Sequence, residues 1–461
     1  MAAPPGLHRS NLADTIWPPV LLGADAILAA LVSQLVDTER LSMAEIEALQ
    51  GRQLSILIGH HRSRTPAFAA RLKAAGLTGA PFDSVAALRR LPPITRREVQ
   101  RAGAAFFALA IPDSHGSVHD ATTSGSTGET VTVRKSQLQG LFWDALMLRD
   151  LAWRGYDFGA RITTIRAQVT RYYEMDGWGR PVDALYDSGR AQGIPIETDV
   201  REQLRLMRRF KPGVLSILPS NLMAMVQIWE SQGFSPKSLR RVRTLGETVK
   251  DDLRMRLAAV AGIEIEDHYS AQETGSLAIQ CPRSGLYHVM AESVIIEVIG
   301  PDGAPCSEGE TGRVVVTDLH NLATPLIRYE IGDYAEVGGE CPCGRGLPTL
   351  RRILGRERNL IVMPNGERHW PVVSHIEQAL GRAVGARQYQ LIQRTRTALE
   401  FRMVCDRPQD PSDDLAVRRI VQTALGHPFE IEIVRFEDAL PVGPNGKFED
   451  FLCLVPMDAA A

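Results

Sequence analysis

Short apolar runs alternate with helical patterns in the middle of this 461-residue chain, and no other feature constrains the fold as strongly. Apolar runs at residues 214–218, 242–245 and 263–266 are separated by amphipathic segments at 222–228 and 251–260. Alternating strands and helices are typical of an α/β fold, because each helix returns the chain to the same edge of a parallel sheet. The pattern therefore predicts a largely parallel sheet covered by helices.

The segment ahead of this region has the period of helices. Apolar residues recur every three or four positions through residues 26–76, which predicts helices there. Thr95 and Glu98 have the spacing of a capping box, in which each residue satisfies a backbone N–H of the other. We therefore expect another helix to begin at Arg96.

The segments after the alternating region predict two further parts. Residues 293–318 contain two β-branched runs around a Gly-Pro-Asp-Gly turn, which predicts a β-hairpin followed by more sheet. About the last hundred residues have the size of a small α+β domain. We predict a large N-terminal domain over 1–355, with mixed or parallel sheets, helices and a β-rich subdomain. A small α+β domain is predicted over 356–461.

Charge and composition exclude several classes of protein. The chain carries 52 Lys and Arg against 54 Asp and Glu, for a net charge of -2. This balance argues against a nucleic-acid binder and against a polybasic membrane anchor. The sequence contains no apolar run of about 18 residues, so it predicts no transmembrane helix. The N-terminal residues lack the pattern of a signal peptide. We therefore expect a cytoplasmic protein with no nucleic-acid or membrane partner.

Residues 122–128 form a loop rich in hydroxyl groups and glycine. Backbone N–H groups and hydroxyls in such a loop can surround phosphate oxygens, and glycine allows close approach. The loop is not a Walker A motif, because no Gly-Lys-Ser/Thr follows its second glycine. An ordinary exposed turn is the alternative. The phosphate-binding candidates are Thr123, Ser124, Gly125, Ser126, Thr127 and Gly128.

Five further motifs follow this loop in order. They are Leu245-Gly246-Glu247, Tyr269-Ser270-Ala271-Gln272-Glu273-Thr274, Ile327-Arg328-Tyr329-Glu330-Ile331-Gly332-Asp333, Gly355-Arg356-Glu357-Arg358-Asn359 and Pro444-Asn445-Gly446-Lys447. Together with the loop they resemble the motifs of the adenylate-forming ligase superfamily, which contains acyl-CoA synthetases, peptide-synthetase adenylation domains and luciferase-like enzymes. Three features are most similar to the phenylacetate–CoA ligase-like branch: the short N-terminal region, Pro325-Leu326-Ile327-Arg328-Tyr329, and Cys341-Pro342-Cys343-Gly344-Arg345.

The resemblance implies a two-step reaction. A carboxylic acid, here expected to be aromatic, reacts with ATP to give an acyl-adenylate and pyrophosphate, and the acyl group then passes to CoA. ATP and Mg²⁺ are the implied cofactors. An amine or a carrier-protein thiol as acceptor is the alternative. A catalytically silent nucleotide-binding member and a P-loop phosphotransferase are further alternatives. The oligomeric state stays open, with a homodimer as one option.

The resemblance also assigns roles to the two domains and to individual residues. It implies that the domain over 1–355 binds ATP and the acid, and that the domain over 356–461 is a mobile lid that carries the lysine loop. Lys447 is the expected catalytic cation, carried by a loop that domain rotation about a hinge near Asn359 moves into and out of the cleft. Glu273 is the expected catalytic Mg²⁺ ligand, since a hard cation requires carboxylate oxygen. Gly246 and Glu247 are expected to flank the adenine, and Tyr269 is expected to stack on it. Asp333 is expected to bind the ribose hydroxyls, and Arg356 is expected to reach a phosphate or the ribose.

Three cysteines and one histidine form a candidate metal site. Cys281, His288, Cys341 and Cys343 make a Cys₃His set, which suits tetrahedral structural zinc. The two pairs are about fifty residues apart and Cys-x-Cys is not the usual spacing, so free thiols are the alternative from the residues alone. Some relatives in the branch carry zinc at the corresponding positions, and the resemblance therefore favours zinc.

An aromatic-rich segment lies between the phosphate loop and Gly246, where the resemblance places the acid pocket. Aromatic side chains suit a flat aryl acid, and core packing is the alternative. The aromatic residues are Phe142, Trp143, Trp153, Tyr172, Tyr173 and Trp178, with His268 as a further candidate for contact with the acyl group.

Overall fold

A computed structural model describes residues 8–122, 130–371, 374–408, 410–442 and 447–455. The chain divides into two compact units, Met1–Leu354 and Gly355–Ala461. The larger unit carries the predicted α/β region, and the smaller unit has its own core.

Helices open the larger unit, as the period of the sequence predicts. They are α1 (Gly23–Thr38), α2 (Met43–Arg64), α3 (Pro66–Ala74), α4 (Val85–Leu88) and α5 (Arg96–Ala102), followed by 3-10 turns at Gly103–Phe106 and Asp113–His115. The capping box at the start of α5 is confirmed, because Thr95 N donates to Glu98 Oε2 at 2.8 Å and Glu98 N donates to Thr95 Oγ1 at 3.4 Å.

A short antiparallel hairpin surrounds the candidate phosphate loop. Its strands are β1 (Val118–Thr122) and β2 (Thr132–Ser136), which pair from Val118 with Ser136 to Thr122 with Thr132. Residues 123–129 between the strands lie outside the described ranges, so the candidates Thr123 to Gly128 stay predictions. The hairpin fixes the two points between which the loop runs.

Twelve strands within the described ranges form one mixed sheet. In chain order they are β3 (Ile162–Arg166), β4 (Tyr173–Met175), β5 (Ala191–Pro195), β6 (Val214–Ile217), β7 (Arg241–Leu245), β8 (Ile265–Ala271), β9 (Gly275–Gln280), β10 (Tyr287–Val289), β11 (Val294–Ile299), β12 (Thr311–Asp318), β13 (Tyr329–Val337) and β14 (Thr349–Arg356). Their spatial order is β11-β12-β13-β14-β10-β9-β8-β7-β6-β3-β5-β4. Strands β5, β3, β6, β7 and β8 are parallel neighbours, which confirms the predicted parallel sheet.

Helices cover the parallel strands and are joined to them by short loops. They are α6 (Gln137–Trp153), α7 (Val182–Leu185), α8 (Val200–Phe210), α9 (Pro219–Gln232) and α10 (Asp251–Ala261). Buried side chains from strands and helices, such as Leu215, Trp229 and Val242, form one apolar cluster with them. The predicted hairpin is confirmed as antiparallel pairing of β11 with β12, although its connection runs from 300 to 310.

The smaller unit has an α+β core of its own. Its strands are β15 (Ile361–Val362), β16 (Arg368–His369), β17 (Ala386–Gln393), β18 (Ala398–Cys405), β19 (Glu430–Phe436) and β20 (Phe451–Cys453), and its helices are α11 (Ser374–Val384) and α12 (Pro411–Leu425), with a 3-10 turn at Glu357–Asn359. Four strands form a sheet in the order β19-β18-β17-β20. Leu391, Phe401 and Val417 are fully buried between the sheet and the helices. None of the helices in the described ranges combines the length and apolar character needed to cross a bilayer.

Candidate active site

Tyr269 and Asp333 meet in the larger unit, although 64 residues separate them in sequence. Tyr269 Oη donates a hydrogen bond to Asp333 Oδ2 at 2.7 Å, and both residues are buried. Tyr269 lies at the end of β8 beside a bulge, and Asp333 lies in β13. The Tyr269 ring also contacts an apolar core cluster, and its hydroxyl reaches the carboxylate. The structure thus brings together two residues to which the resemblance gives nucleotide contacts.

This contact requires the sheet to curl. Three strands, β9, β10 and β14, lie between β8 and β13 in the sheet. In a flat sheet, four interstrand spacings of about 4.8 Å would separate the two strands by roughly 19 Å. Side chains of Tyr269 and Asp333 cannot span that distance, so the twist and curl of these five strands close the gap.

Glu273 lies in a buried and positively charged environment. Its side chain is 4% exposed, and its Oε1 lies 3.7 Å from Arg96 Nη2 at the start of α5. Lys135 on β2 interacts with the same carboxylate: burial lowers the pKa of Lys135, and the negative charges of Asp318 and Glu273 act in the opposite direction. A carboxylate can bind a divalent cation together with phosphate oxygens.

Arg96 and Lys135 are site residues that the sequence analysis missed. Lys135 follows Val131 and Val133 at a spacing of two, so all three side chains lie on one face of β2. That alternation was the signal that could have placed Lys135 inward. Arg96 gave no such signal, because its proximity to Glu273 depends on the packing of α5 against the sheet.

Asp318 at the end of β12 is a second buried carboxyl group in this region. It accepts hydrogen bonds from Gln139 Nε2 at 2.8 Å and from the backbone N–H of His320 at 3.1 Å. Burial raises the pKa of Asp318 to about 6, although these hydrogen bonds and the charge of Lys135 lower it. The group therefore ionises near neutral pH in the folded chain.

Gly246 and Glu247 form the loop after β7. Gly246 has φ +85°, a conformation that glycine adopts without steric cost. The Glu247 carboxylate accepts from Ser220 N at 2.9 Å and Ser220 Oγ at 3.0 Å, which holds the loop against the start of α9. In open α/β sheets, ligands bind at the carboxyl ends of parallel strands, where this loop lies.

A buried charge network lies under the same edge of the sheet. Asp150 on α6 accepts from Arg243 Nη2 at 2.6 Å and from Arg154 Nε at 2.9 Å. His268 Nδ1 lies 3.3 Å from Asp150, and its Nε2 lies 2.9 Å from Ser276 Oγ. Burial alone would raise the pKa of Asp150, but Arg243, Arg154 and His268 hold it well below its ordinary value. The network orients His268 beside Tyr269.

The aromatic residues predicted for an acid pocket divide into different roles. Trp153 and Trp178 pack elsewhere: Trp153 contacts Glu39 and Arg345, and Trp178 packs on Tyr156 and Phe158. Phe142 stacks on His320 with ring centroids 4.0 Å apart. Trp143 lies 5.9 Å from the His268 ring, while Tyr172 and Tyr173 are exposed at the far edge of the sheet. Of this set, Trp143 lies beside the candidate site.

Arg356 and Lys447 belong to the smaller unit. Arg356 is half-buried, and its backbone N–H donates to Asn359 Oδ1 at 3.0 Å. Lys447 is half-buried just ahead of β20, while the preceding 443–446 lie outside the described ranges. Glu449, two residues after Lys447, accepts from Arg358 Nε at 2.8 Å and from Asn359 Nδ2 at 2.9 Å. The candidate hinge and the base of the lysine loop are therefore tied together.

Four potential metal ligands converge at one point of the larger unit. The ligand atoms of Cys281, His288, Cys341 and Cys343 all lie within 4.8 Å of one another. Cys281 Sγ and Cys341 Sγ are 3.7 Å apart, and Cys343 Sγ is 3.2 Å from His288 Nε2. Tetrahedral zinc with Zn–S bonds of about 2.3 Å separates two sulfurs by about 3.8 Å. The Cys₃His geometry therefore fits one tetrahedral ion.

The surroundings of this cluster suit a metal site. His288 Nδ1 lies 3.4 Å from the Leu347 carbonyl oxygen, which leaves Nε2 facing the thiols. Burial lowers the pKa of His288 to about 4, so the ring is neutral and its nitrogen can act as a ligand. Burial raises the pKa of the Cys281 thiol, but hydrogen bonds from the backbone of Arg283 and Ser284 lower it to about 7.

Comparison with known proteins agrees with these features. A phenylacetate–coenzyme A ligase of Thermus thermophilus is 27% identical over 342 residues, which cover 71% of this chain and 74% of the relative. A phenylacetate–coenzyme A ligase of Escherichia coli is 26% identical over 337 residues, which cover 70% and 74%. No protein-family model matches the chain.

Solved structures share the fold. A 2-hydroxyisobutyryl-CoA ligase in its postadenylation state superposes with a TM-score of 0.71 at 19% identity, covering 91% of each chain. An anthranilate CoA ligase superposes with a TM-score of 0.53 at 16% identity, covering 71% of this chain and 64% of the other. The chain is therefore similar in sequence to phenylacetate–CoA ligases and shares its fold with solved CoA ligases.

Proposed function

We propose that the protein is an ATP-dependent carboxylate ligase that forms an acyl-adenylate and then transfers the acyl group to CoA. The observation that carries this proposal is the meeting of Tyr269 and Asp333 in a chain similar to phenylacetate–CoA ligases over about 70% of its length. A silent nucleotide-binding member would not need the catalytic cation predicted at Lys447. The fold that this chain shares with the superposed CoA ligase argues against a P-loop phosphotransferase.

The first step joins an anion to a polyanion. An acid oxygen attacks the α-phosphate of ATP, the bond to the β-phosphate breaks, and pyrophosphate leaves. Catalysis of such a step consists mainly of positioning and charge stabilisation. We assign Mg²⁺ binding to Glu273. The bound Mg²⁺ would supply positive charge at the phosphates. We assign further positive charge to Lys447, with Arg356 reaching a phosphate or the ribose.

The adenosine part of ATP is bound by the larger unit in this proposal. Asp333 accepts hydrogen bonds from the ribose hydroxyls, and Tyr269 stacks on the adenine while its hydroxyl orients the Asp333 carboxylate at 2.7 Å. Gly246 and Glu247 flank the adenine. The loop 123–128 is assigned to the phosphates because β1 and β2 fix both of its ends.

The second step transfers the acyl group to the CoA thiol, with AMP as the leaving group. The sulfur forms a bond to the acyl carbon and loses its proton, and the bond from that carbon to the adenylate oxygen breaks. The names of the curated relatives favour CoA over an amine or a carrier-protein thiol. Since ATP and CoA are cytoplasmic metabolites, we propose a cytoplasmic location.

We propose that the Cys₃His cluster binds one structural zinc ion. The support is the 3.7 Å separation of two sulfurs, the neutral His288 and its backbone contact. A site with four protein ligands leaves no open position, so the ion would hold segments together rather than act on substrate. It connects the end of β9, strand β10 and the loop between β13 and β14.

ATP–pyrophosphate exchange against a panel of aryl and aliphatic acids, without an acceptor, tests the first step. We expect exchange with at least one acid, and AMP rather than ADP as the product when CoA is added. Glu273→Gln should abolish exchange, whereas Glu202→Gln, at an exposed glutamate paired with Arg205, should not. ADP formation, or no exchange with any acid, would contradict the proposed function.

A further inference from the structure

A row of small side chains crosses the parallel part of the large sheet. Gly193 on β5 pairs with Thr164 on β3, and Thr164 pairs with Ser216 on β6. Directly paired residues point to the same face of a sheet, so these three leave little bulk above it. Tyr173 bounds the row at one end, since a Cβ on Gly193 would lie 2.1 Å from its ring. Arg243 on β7 bounds it at the other end.

Arg166 projects over this row with few partners. It lies two residues after Thr164, at the end of β3, and therefore on the same face. Its Nη2 donates to Ser216 Oγ at 2.5 Å, and its Nε is buried without an acceptor. Across the described ranges, no carboxylate forms an ion pair with Arg166. A guanidinium has five N–H donors, so most of its capacity is unused.

Among the described residues, no acidic side chain compensates the charge of Arg166. Burial lowers the pKa of Arg166 to about 10, and the positive charge of Arg243 acts in the same direction. Arg243 has its own partner in Asp150 at 2.6 Å, so Asp150 does not neutralise Arg166. A desolvated cation beside a second cation is costly to maintain without an anion. An anionic ligand bound here would remove that cost.

The row lies where an acid body would extend from the candidate nucleotide site. Three interstrand spacings of about 4.8 Å place β3 roughly 14 Å from β8, which carries Tyr269. Trp143 and Met147 of α6 lie on the same side of the sheet, since Met147 Sδ is 3.8 Å from Arg243 Nη2 and Trp143 is 5.9 Å from the His268 ring. A flat acid one ring long is shorter than this separation of about 14 Å.

We propose that the acid substrate carries a second carboxylate, at the end opposite the carboxyl group that is adenylated, and that Arg166 and Ser216 bind it. The inference rests on the proposed ligase function and narrows its substrate class to flat dicarboxylic acids. Arg166 accommodates a carboxylate through two parallel N–H···O bonds, and Ser216 holds the guanidinium in place. A neutral acid would leave the half-buried guanidinium without an anionic partner.

ATP–pyrophosphate exchange with matched acids tests this subsite. The probes are 4-carboxyphenylacetate and terephthalate, each compared with the acid in which the distal carboxylate is a methyl ester. We expect the wild-type kcat/KM to favour each diacid by about 100-fold, because an ester leaves the buried charge unpaired. Arg166→Gln should bring that ratio close to one, and Ser216→Ala should lower it by about 10-fold.

Arg190→Gln is the matched control. Arg190 is an exposed arginine near the same sheet, paired with Glu174 at 2.9 Å, and its removal should leave the diacid-to-ester ratio unchanged. A wild-type protein that prefers the esters, or an Arg166→Gln variant that keeps the diacid preference, would overturn the subsite. An absence of exchange with any acid, diacid or not, would instead overturn the proposed function and this inference with it.

Discussion

Replacing Asp150 with Asn tests whether the buried charge network supports the larger unit. Asp150 is 2% exposed and neutralises two arginines, Arg243 at 2.6 Å and Arg154 at 2.9 Å. Asparagine keeps the shape of the side chain but removes its charge and turns one acceptor into a donor that faces a guanidinium. Breaking a buried ion pair from one side costs about 3–5 kcal/mol, because the remaining charge stays buried. We expect a loss of that size in the free energy of unfolding.

Urea denaturation followed by tryptophan fluorescence measures this loss. Five of the six tryptophans lie in the larger unit, two of them on α6 with Asp150, so the signal reports mainly on that unit. Asp120→Asn is the control, since Asp120 pairs with Arg134 at 3.2 Å but its side chain is 56% exposed. An exposed pair contributes less than about 1 kcal/mol. If both variants lose the same small amount, the reasoning from burial is wrong.

Three further predictions follow from the lysine loop, the Cys₃His cluster and Asp318. Lys447→Ala should slow adenylation by at least about 100-fold while affecting thioester formation from supplied acyl-adenylate far less, with the exposed Lys237→Ala as control; equal losses in both half-reactions would contradict the assigned role. The purified protein should contain about one zinc ion per chain, and Cys343→Ser should lose it; metal-free protein that is folded and active would rule out the site. Asp318→Asn should become more stable relative to wild type, by on the order of 2 kcal/mol, as the pH rises from 4 to 7. The reason is that the wild-type carboxyl group has a pKa of about 6 in the folded chain, above its unfolded value. Its contribution to the stability of the wild type is present below the unfolded pKa and is lost as the pH rises through 6. A stability difference that is the same at both pH values, measured by urea denaturation, would show that Asp318 does not titrate as inferred.

Local features of the chain were predictable from the sequence because their causes are local. The capping box of Thr95 and Glu98 depends on residues three apart, and α5 begins at Arg96 as expected. The alternation over 214–266 gave the parallel strands because each strand and helix is a continuous pattern. The position of the Cys₃His ligands agreed with the resemblance, although Cys-x-Cys spacing alone was a weak signal.

Contacts between distant strands were outside the reach of such patterns. The hydrogen bond between Tyr269 and Asp333 depends on the curl of five strands, and no short motif encodes that curl. Arg166 and Asp150 look like ordinary charged residues in sequence, since their significance comes from what does and does not pack around them. Trp153 was assigned to an aromatic pocket by its residue type, whereas packing places it against Arg345.

The curl of the large sheet makes the contact between Tyr269 and Asp333 sensitive to changes in strands that carry neither residue. The distance between Tyr269 and Asp333 depends on how each strand from β8 to β13 is placed relative to its neighbour in the sheet. The Cys₃His ligands lie at the end of β9, on β10 and between β13 and β14, which are among the strands that set that distance. A zinc ion bound there, as proposed above, would hold these strands together. Loss of that ion would then change the distance between Tyr269 and Asp333 before the protein unfolds.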